Sequence, residues 1–237
     1  MPAAARSSPT PDPFQAGLFQ HESGVFVPIA DATGRIAYTP GWIAPALAAQ
    51  WFRQLHDGIA WHSQRRMMYE RMLTVPRLTA HFRLDDPALP PPLGEAAARA
   101  RASVGAPFTT AGLNFYRDRH DSVAPHNDHL DEIVRGQPIA LLSLGATRLM
   151  TIRAKRAPRR VLRLQLEPGS LLLMDYATQL HYDHAIPKQR VCRDLHRRHS
   201  LPAVALRPRH SQAARPRWPA HQRGVSLFGG ALMTAGA

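Results

Sequence analysis

Between Val161 and Met174 the chain reads VLRLQLEPGSLLLM, and few folds accommodate that pattern. Leu162, Leu164 and Leu166 alternate with Arg163 and Gln165, the period of two that sends one set of side chains into a core and the other into water. Pro168 and Gly169 then supply the fixed and the permissive backbone of a tight turn, and an apolar run from Ser170 to Met174 leads away from it. PIALLSLGATRLMTIR upstream gives two more short apolar runs broken at Gly145, and GRIAYTPGW a further one that closes at Pro-Gly. Helical patterns are confined to the first half. Ile43, Leu47, Trp51 and Leu55 recur every four residues ahead of Gly58, and an alanine-rich stretch runs from Pro92 to Gly105. Short strands joined by turn residues, with helices on one side of the sequence only, predict a mainly β chain with a helical buttress (α+β), a sandwich or jelly roll.

A chain of 237 residues is long enough for one substantial core. One domain is expected over 29–207. Residues 1–28, rich in Pro, Ala and Ser, predict a flexible arm, and 208–237 a disordered basic tail. The single cysteine, Cys192, excludes an intramolecular disulfide and a cysteine-built zinc cluster, and suits a reducing compartment. No apolar run approaches the roughly 20 residues that span a bilayer, and the first residues lack the apolar core of a signal peptide. A soluble, cytoplasmic protein without a membrane partner is the expectation, and no dimerising stripe is visible, so a monomer. The formal charge of +13 points to a polyanionic partner, most simply nucleic acid. Arg148, Arg153, Lys155, Arg156, Arg159, Arg160 and Arg163 crowd one segment, and Lys188, Arg190, Arg193, Arg197 and Arg198 another.

The chemistry concentrates between Gly112 and Glu132, GLNFYRDRHDSVAPHNDHLDE. As a strand it places Leu113 and Phe115 on one face and Asn114 and Tyr116 on the other. His126 and Asp128, one residue apart, also share a face if the backbone there is extended. Downstream, QLHYDHAIPKQ offers two candidates for a third ligand, His181 and His184. Two imidazoles and a carboxylate on one face of an octahedral iron leave three positions open, enough for a bidentate keto acid and dioxygen.

NFYRDRHDSVAPHNDH, SLGATRLM, PGSLLLMD and LHYDHAIPKQR, together with TVPRLTAHF upstream, resemble in order and spacing the AlkB-like iron(II) and 2-oxoglutarate dioxygenases that repair alkylated nucleic acids. The resemblance implies a double-stranded β-helix, a jelly roll, with iron(II) as cofactor and 2-oxoglutarate and O2 as co-substrates. Its iron ligands match His126, Asp128 and His184. Its 2-oxoglutarate residues match Asn114 and Tyr116, with a pair of arginines in a motif R-x-N/S-L-x-F-R. RHSLPAVALR fits the start of that motif at Arg198, Ser200 and Leu201, whereas Val204 stands where the second arginine is counted and Arg207 lies three residues beyond. At the substrate, the resemblance implies His81 and Phe82 as an aromatic pair. Met72, in a lid of mixed methionines and arginines, and Arg148 complete the tentative substrate set.

The implied activity is oxidative demethylation of N-alkylated bases in DNA or RNA. Two rivals stand beside it: the same centre acting on a protein or small molecule, or a nucleic-acid-binding member whose catalysis is impaired by the displaced arginine.

Overall fold

The computed structural model describes residues 24–189, apart from 69, 70 and 129, together with Ala203–Arg207 and Met233–Thr234. In chain order the elements are β1 (Phe26–Asp31), β2 (Gly34–Thr39), α1 (Pro45–Gly58), β3 (His62–Met68), β4 (Arg71–Arg83), α2 (Pro91–Val104), β5 (Thr110–Tyr116) and β6 (Val123–His126). A 3-10 turn at Leu130–Glu132 follows, then β7 (Ile139–Ser143), β8 (Arg148–Ala154), β9 (Val161–Leu166), β10 (Leu171–Met174), α3 (Tyr176–His181), β11 (Tyr182–Ile186), β12 (Ala203–Arg207) and β13 (Met233–Thr234).

The large sheet runs β1-β2-β10-β7-β12-β5-β4-β3, with β13 beside β5, and the small sheet runs β6-β11-β8-β9. Strands β5 to β12 are shared four and four between the sheets, β10-β7-β12-β5 facing β6-β11-β8-β9, which is the double-stranded β-helix expected from the sequence.

Alternation divides the core in two. From β7, Ala140 and Leu142 join the cluster beneath the helices, while Ile139 and Leu141 join the one between the sheets. Helix α1 contributes Ala48, Trp51 and Leu55, one stripe at three- and four-residue spacing, after Pro45 has supplied a first turn that needs no N–H partner. Helix α2 does the same with Leu93, Ala96, Ala97 and Ala100, and ends at Gly105, whose left-handed backbone lets its N–H donate to the Arg101 carbonyl at 2.9 Å. Full burial of a leucine such as Leu55 or Leu93 contributes about 1.5–3 kcal/mol.

Gly169 joins the two halves of this arrangement. Its φ is +79°, its N–H donates to the Ser143 carbonyl at 2.8 Å, and its own carbonyl accepts from Ile43 at 3.0 Å, ahead of α1. A Cβ there would lie 2.6 Å from the Ile43 carbonyl oxygen, so only glycine fits.

Three boundaries differ from the expectations. Strand β1 starts at Phe26, inside the proposed arm, because residues 26–31 pair with β2. The piece around Pro76, read from the sequence only as part of a lid of methionines and arginines, is one half of a long hairpin of β3 and β4. There the register slips between Ser63 and Arg65, which lets the chain pass a residue that cannot donate to a ladder. The proposed tail over 208–237 lies outside the described residues except for Met233–Thr234, which pair in parallel with Phe115 and Tyr116.

Candidate active site

The site lies between the sheets, where β5 and β12 face β6 and β11. His126 closes β6 and stands directly opposite His184 of β11 in the antiparallel register. Their rings lie 4.4 Å apart between centroids. Asp128 follows two residues beyond β6, and the ligand atoms of His126, Asp128 and His184 all lie within 4.8 Å of one another. His181 is not in this group: it ends α3, and its carbonyl accepts the Lys155 N–H at 2.9 Å.

The protonation states suit a cation. His126 donates Nδ1–H to the Ala124 carbonyl at 2.9 Å, which leaves Nε2 buried and without a partner. Burial, with His126 alongside, pushes His184 down to about 3, so its ring is neutral. Burial pushes the Asp128 carboxyl up, but the Arg207 guanidinium paired with it outweighs burial and holds the group below its usual range. Two neutral nitrogen donors and one carboxylate are a donor set for a divalent first-row metal with open positions.

On the large sheet, Asn114 and Tyr116 point between the sheets while Leu113 and Phe115 pack under the helices, as alternation predicts. Asn114 is buried, its Oδ1 accepting from Arg77 Nε at 2.8 Å. Tyr116 is fully buried, and its hydroxyl has no hydrogen-bond partner. Burial pushes its pKa up, so it stays a neutral donor. A hydroxyl left bare in this way fits a pocket that receives a polar ligand.

The register of β12 separates Val204 from Arg207. Val204 lies opposite Leu113 and packs with it under the helices, on the face where no arginine belongs. Arg207, opposite Thr110, is on the other face, 3% exposed, and its Nη2 is paired with Asp128 Oδ1. Arg198 lies outside the described residues.

The four substrate candidates separate. His81 is exposed and shares the strand face of Arg77, whereas Phe82 points the other way and packs against the core beneath the helices, so the two do not form an aromatic pair. Met72 is 47% exposed near the end of the β3–β4 hairpin, directly across from Met67 at 65%. Arg148, expected at the substrate, is instead tied into the fold. It is buried, with Nη1 donating to the Asp118 carbonyl and to Gln189 Oε1 at 3.1 Å each, and Nη2 to the Asp121 carbonyl. Its guanidinium also sits 5.3 Å from the Tyr116 ring centroid. Lys155, counted with the surface cations, donates to Asn127 Oδ1 and the Gln179 carbonyl.

Sequence reasoning missed Arg77 and Gln179. The first could have been found by extending the alternation of β4 back from His81. A lone glutamine five residues before His184 carries no comparable signal.

A double-stranded β-helix with two histidines and an aspartate at the mouth of its small sheet defines a class, and the chain belongs to the 2OG-Fe(II) oxygenase superfamily, whose profile matches residues 83–211. Within it, the chain is 29% identical over 187 residues to the human alpha-ketoglutarate-dependent dioxygenase alkB homolog 3, covering 70% of this chain and 65% of that protein. The rat protein of the same name is 28% identical over 187 residues, covering 70% of this chain and 63% of its own length. The chain thus spans less than two thirds of these two relatives. Over 90 residues it is 40% identical to the mouse DNA oxidative demethylase ALKBH2, 35% of this chain and 38% of that one. Among solved structures, OsALKBH1 superposes with a TM-score of 0.54 at 10% identity, over 77% of this chain and 99% of that one. A Pseudomonas putida prolyl-4-hydroxylase superposes with a TM-score of 0.51 at 12% identity, over 76% and 95%. These two likenesses are of fold.

Proposed function

We propose that the protein demethylates N-alkylated bases of DNA or RNA by oxidation, using iron(II), 2-oxoglutarate and O2. The observation that carries this is the meeting of His126, Asp128 and His184 within 4.8 Å, in a barrel where the Tyr116 hydroxyl is buried without a partner. Iron(II) with its two co-substrates supplies the oxidation of a methyl group on a ring nitrogen, which then leaves as formaldehyde.

The protein's own part is to bind and aim. His126 and His184 offer unprotonated nitrogens and Asp128 a charge already balanced by Arg207. Asn114, Tyr116 and Arg207, with Arg198, are the residues we assign to 2-oxoglutarate. A guanidinium matches a carboxylate through parallel hydrogen bonds. Met72 and His81 are the residues we assign to the base: both are exposed, and a thioether suits its flat face. Arg65 on the same hairpin and the exposed Arg153, Arg156 and Arg163 suit phosphates. No described helix is long and apolar enough to cross a membrane. A cytoplasmic monomer completes the proposal.

The test is an oligonucleotide carrying N-methylated adenine or cytosine, incubated with protein, iron(II) and 2-oxoglutarate. Formaldehyde, succinate and the unmodified base should appear together, and the affinity should fall steeply as salt rises. Succinate formed at the same rate with and without the methyl group would redirect the centre to a protein or small molecule.

A further inference from the structure

His126 and Asp128 are close in sequence but are held in different ways. His126 is the last residue of β6, and the ladder to β11 fixes its backbone. Asp128 lies past the end of that strand, 1% exposed, where the ladder offers its N–H nothing. A buried N–H without an acceptor is costly and would leave the carboxylate free to turn. The acceptor comes from elsewhere: Gln179 Oε1, at 2.9 Å, from a helix fifty-one residues further along the chain.

Helix α3 is built to deliver that oxygen. Gln179 is buried, and Thr178 beside it packs where Gly34 makes room, since a Cβ on Gly34 would lie 2.7 Å from Thr178 Cγ2. Lys155, at the end of β8, fixes the same turn from the other side. Its N–H donates to the His181 carbonyl, and its Nζ donates to the Gln179 carbonyl at 2.8 Å, a cation at the end of a helix where carbonyls point outward. The same Nζ donates to Asn127 Oδ1 at 3.1 Å, so residues 127 and 128 are gripped through one side chain and one backbone amide.

We infer that Gln179 is the positioning residue of the carboxylate ligand, with Lys155 as its lock, so that the clamp from α3 and β8 sets the affinity of the centre for its metal. This rests on reading His126, Asp128 and His184 as that centre. Groups that orient a ligand from behind typically change metal affinity by about 10–100-fold when removed.

Manganese(II), which is not turned over, serves as the probe, with its binding followed by the loss of the free-ion electron paramagnetic resonance signal and melting temperature recorded in parallel. Gln179→Met, of similar length but with no acceptor, should weaken manganese binding at least tenfold while the folded fraction at the assay temperature is unchanged. Gln179→Glu, which restores an acceptor oxygen at the same reach, should recover most of that loss. Lys155→Met, at a partly exposed position that tolerates the change, should weaken binding several-fold and keeps the test alive if Gln179→Met does not fold. His184→Ala is the reference. If it abolishes binding while Gln179→Met and Lys155→Met bind as the unaltered protein does, the clamp is wrong and the centre stands. If His184→Ala binds manganese normally, the centre itself is wrong and the clamp falls with it.

Discussion

Replacing Arg207 by methionine isolates the feature that the sequence left most open. Arg207 and Asp128 are 3% and 1% exposed, and the pair is made between Nη2 and Oδ1. Methionine fills a similar volume without charge, so what is lost is the compensation of a carboxylate that stays in the interior. Breaking a buried pair from one side costs about 3–5 kcal/mol. At about 2–4 °C per kcal/mol for a domain of this size, the metal-free protein should melt about 6–20 °C lower.

The pH dependence carries a sign that can be checked. Asp128 is held below its ordinary value of 3.8, so its pairing contributes stability above that value and loses it as pH falls further. In Arg207→Met that contribution is gone, and stability should fall less between pH 4 and more acid conditions. A divalent ion beside Asp128 supplies positive charge in place of the guanidinium, so the deficit should shrink when metal is added. Calorimetric melting with chelator and with manganese(II) measures both effects. A metal-free melting temperature within 2 °C of the unaltered protein would refute the role given to this pair.

Other outcomes follow from the same structure. Burial holds His184 neutral down to about 3, whereas in the unfolded chain it takes up a proton near 6.5, so the unfolded state binds more protons between those values. The metal-free protein should therefore lose stability as pH falls from 6.5 toward 3, and denaturant melts of His184→Leu should show a flatter profile. Gly169→Ala should cost about 1–3 kcal/mol in a urea melt, because φ is +79° and the new Cβ meets the Ile43 carbonyl. Changing Met67 and Met72 together to serine should leave the melting temperature within 1–2 °C, since both are exposed, yet weaken binding to a methylated oligonucleotide in a fluorescence titration. Tyr116→Phe should leave stability unchanged or slightly raised, because its hydroxyl is buried without a partner, while 2-oxoglutarate affinity falls in a calorimetric titration.

The parts of the fold that were readable share one property: a long uninterrupted contrast between two faces. Leu162, Leu164 and Leu166 against Arg163 and Gln165 defined β9, and Trp51 with Leu55 defined one face of α1. Asn114 and Tyr116 could be set apart from Leu113 and Phe115 in the same way. Arg148 was misread because a sequence displays a charge but not the carbonyls of Asp118 and Asp121 that wait for it some thirty residues away. Counting from Arg198 reached Val204, whereas the pairing of β12 with β5 puts Val204 on the apolar face and Arg207 on the other. Gln179 was invisible, since its importance lies in a backbone amide that another strand happens to leave bare.

The slip in the β3–β4 ladder at Pro76 divides the hairpin into an inner and an outer part. The carbonyl of Pro76 accepts the N–H of Ser122 at 2.9 Å, on the loop that leads into β6 and its histidine. From Leu78 to Arg83 the strand is laced to β5 without interruption. The base of the hairpin is thus bound to the wall of the barrel on both sides of Arg77, and the outer part begins at Pro76. Arg77 and His81 lie on the part of β4 beside that wall, while Met67 and Met72 lie beyond Pro76, where the described pairing is of β3 with β4 alone.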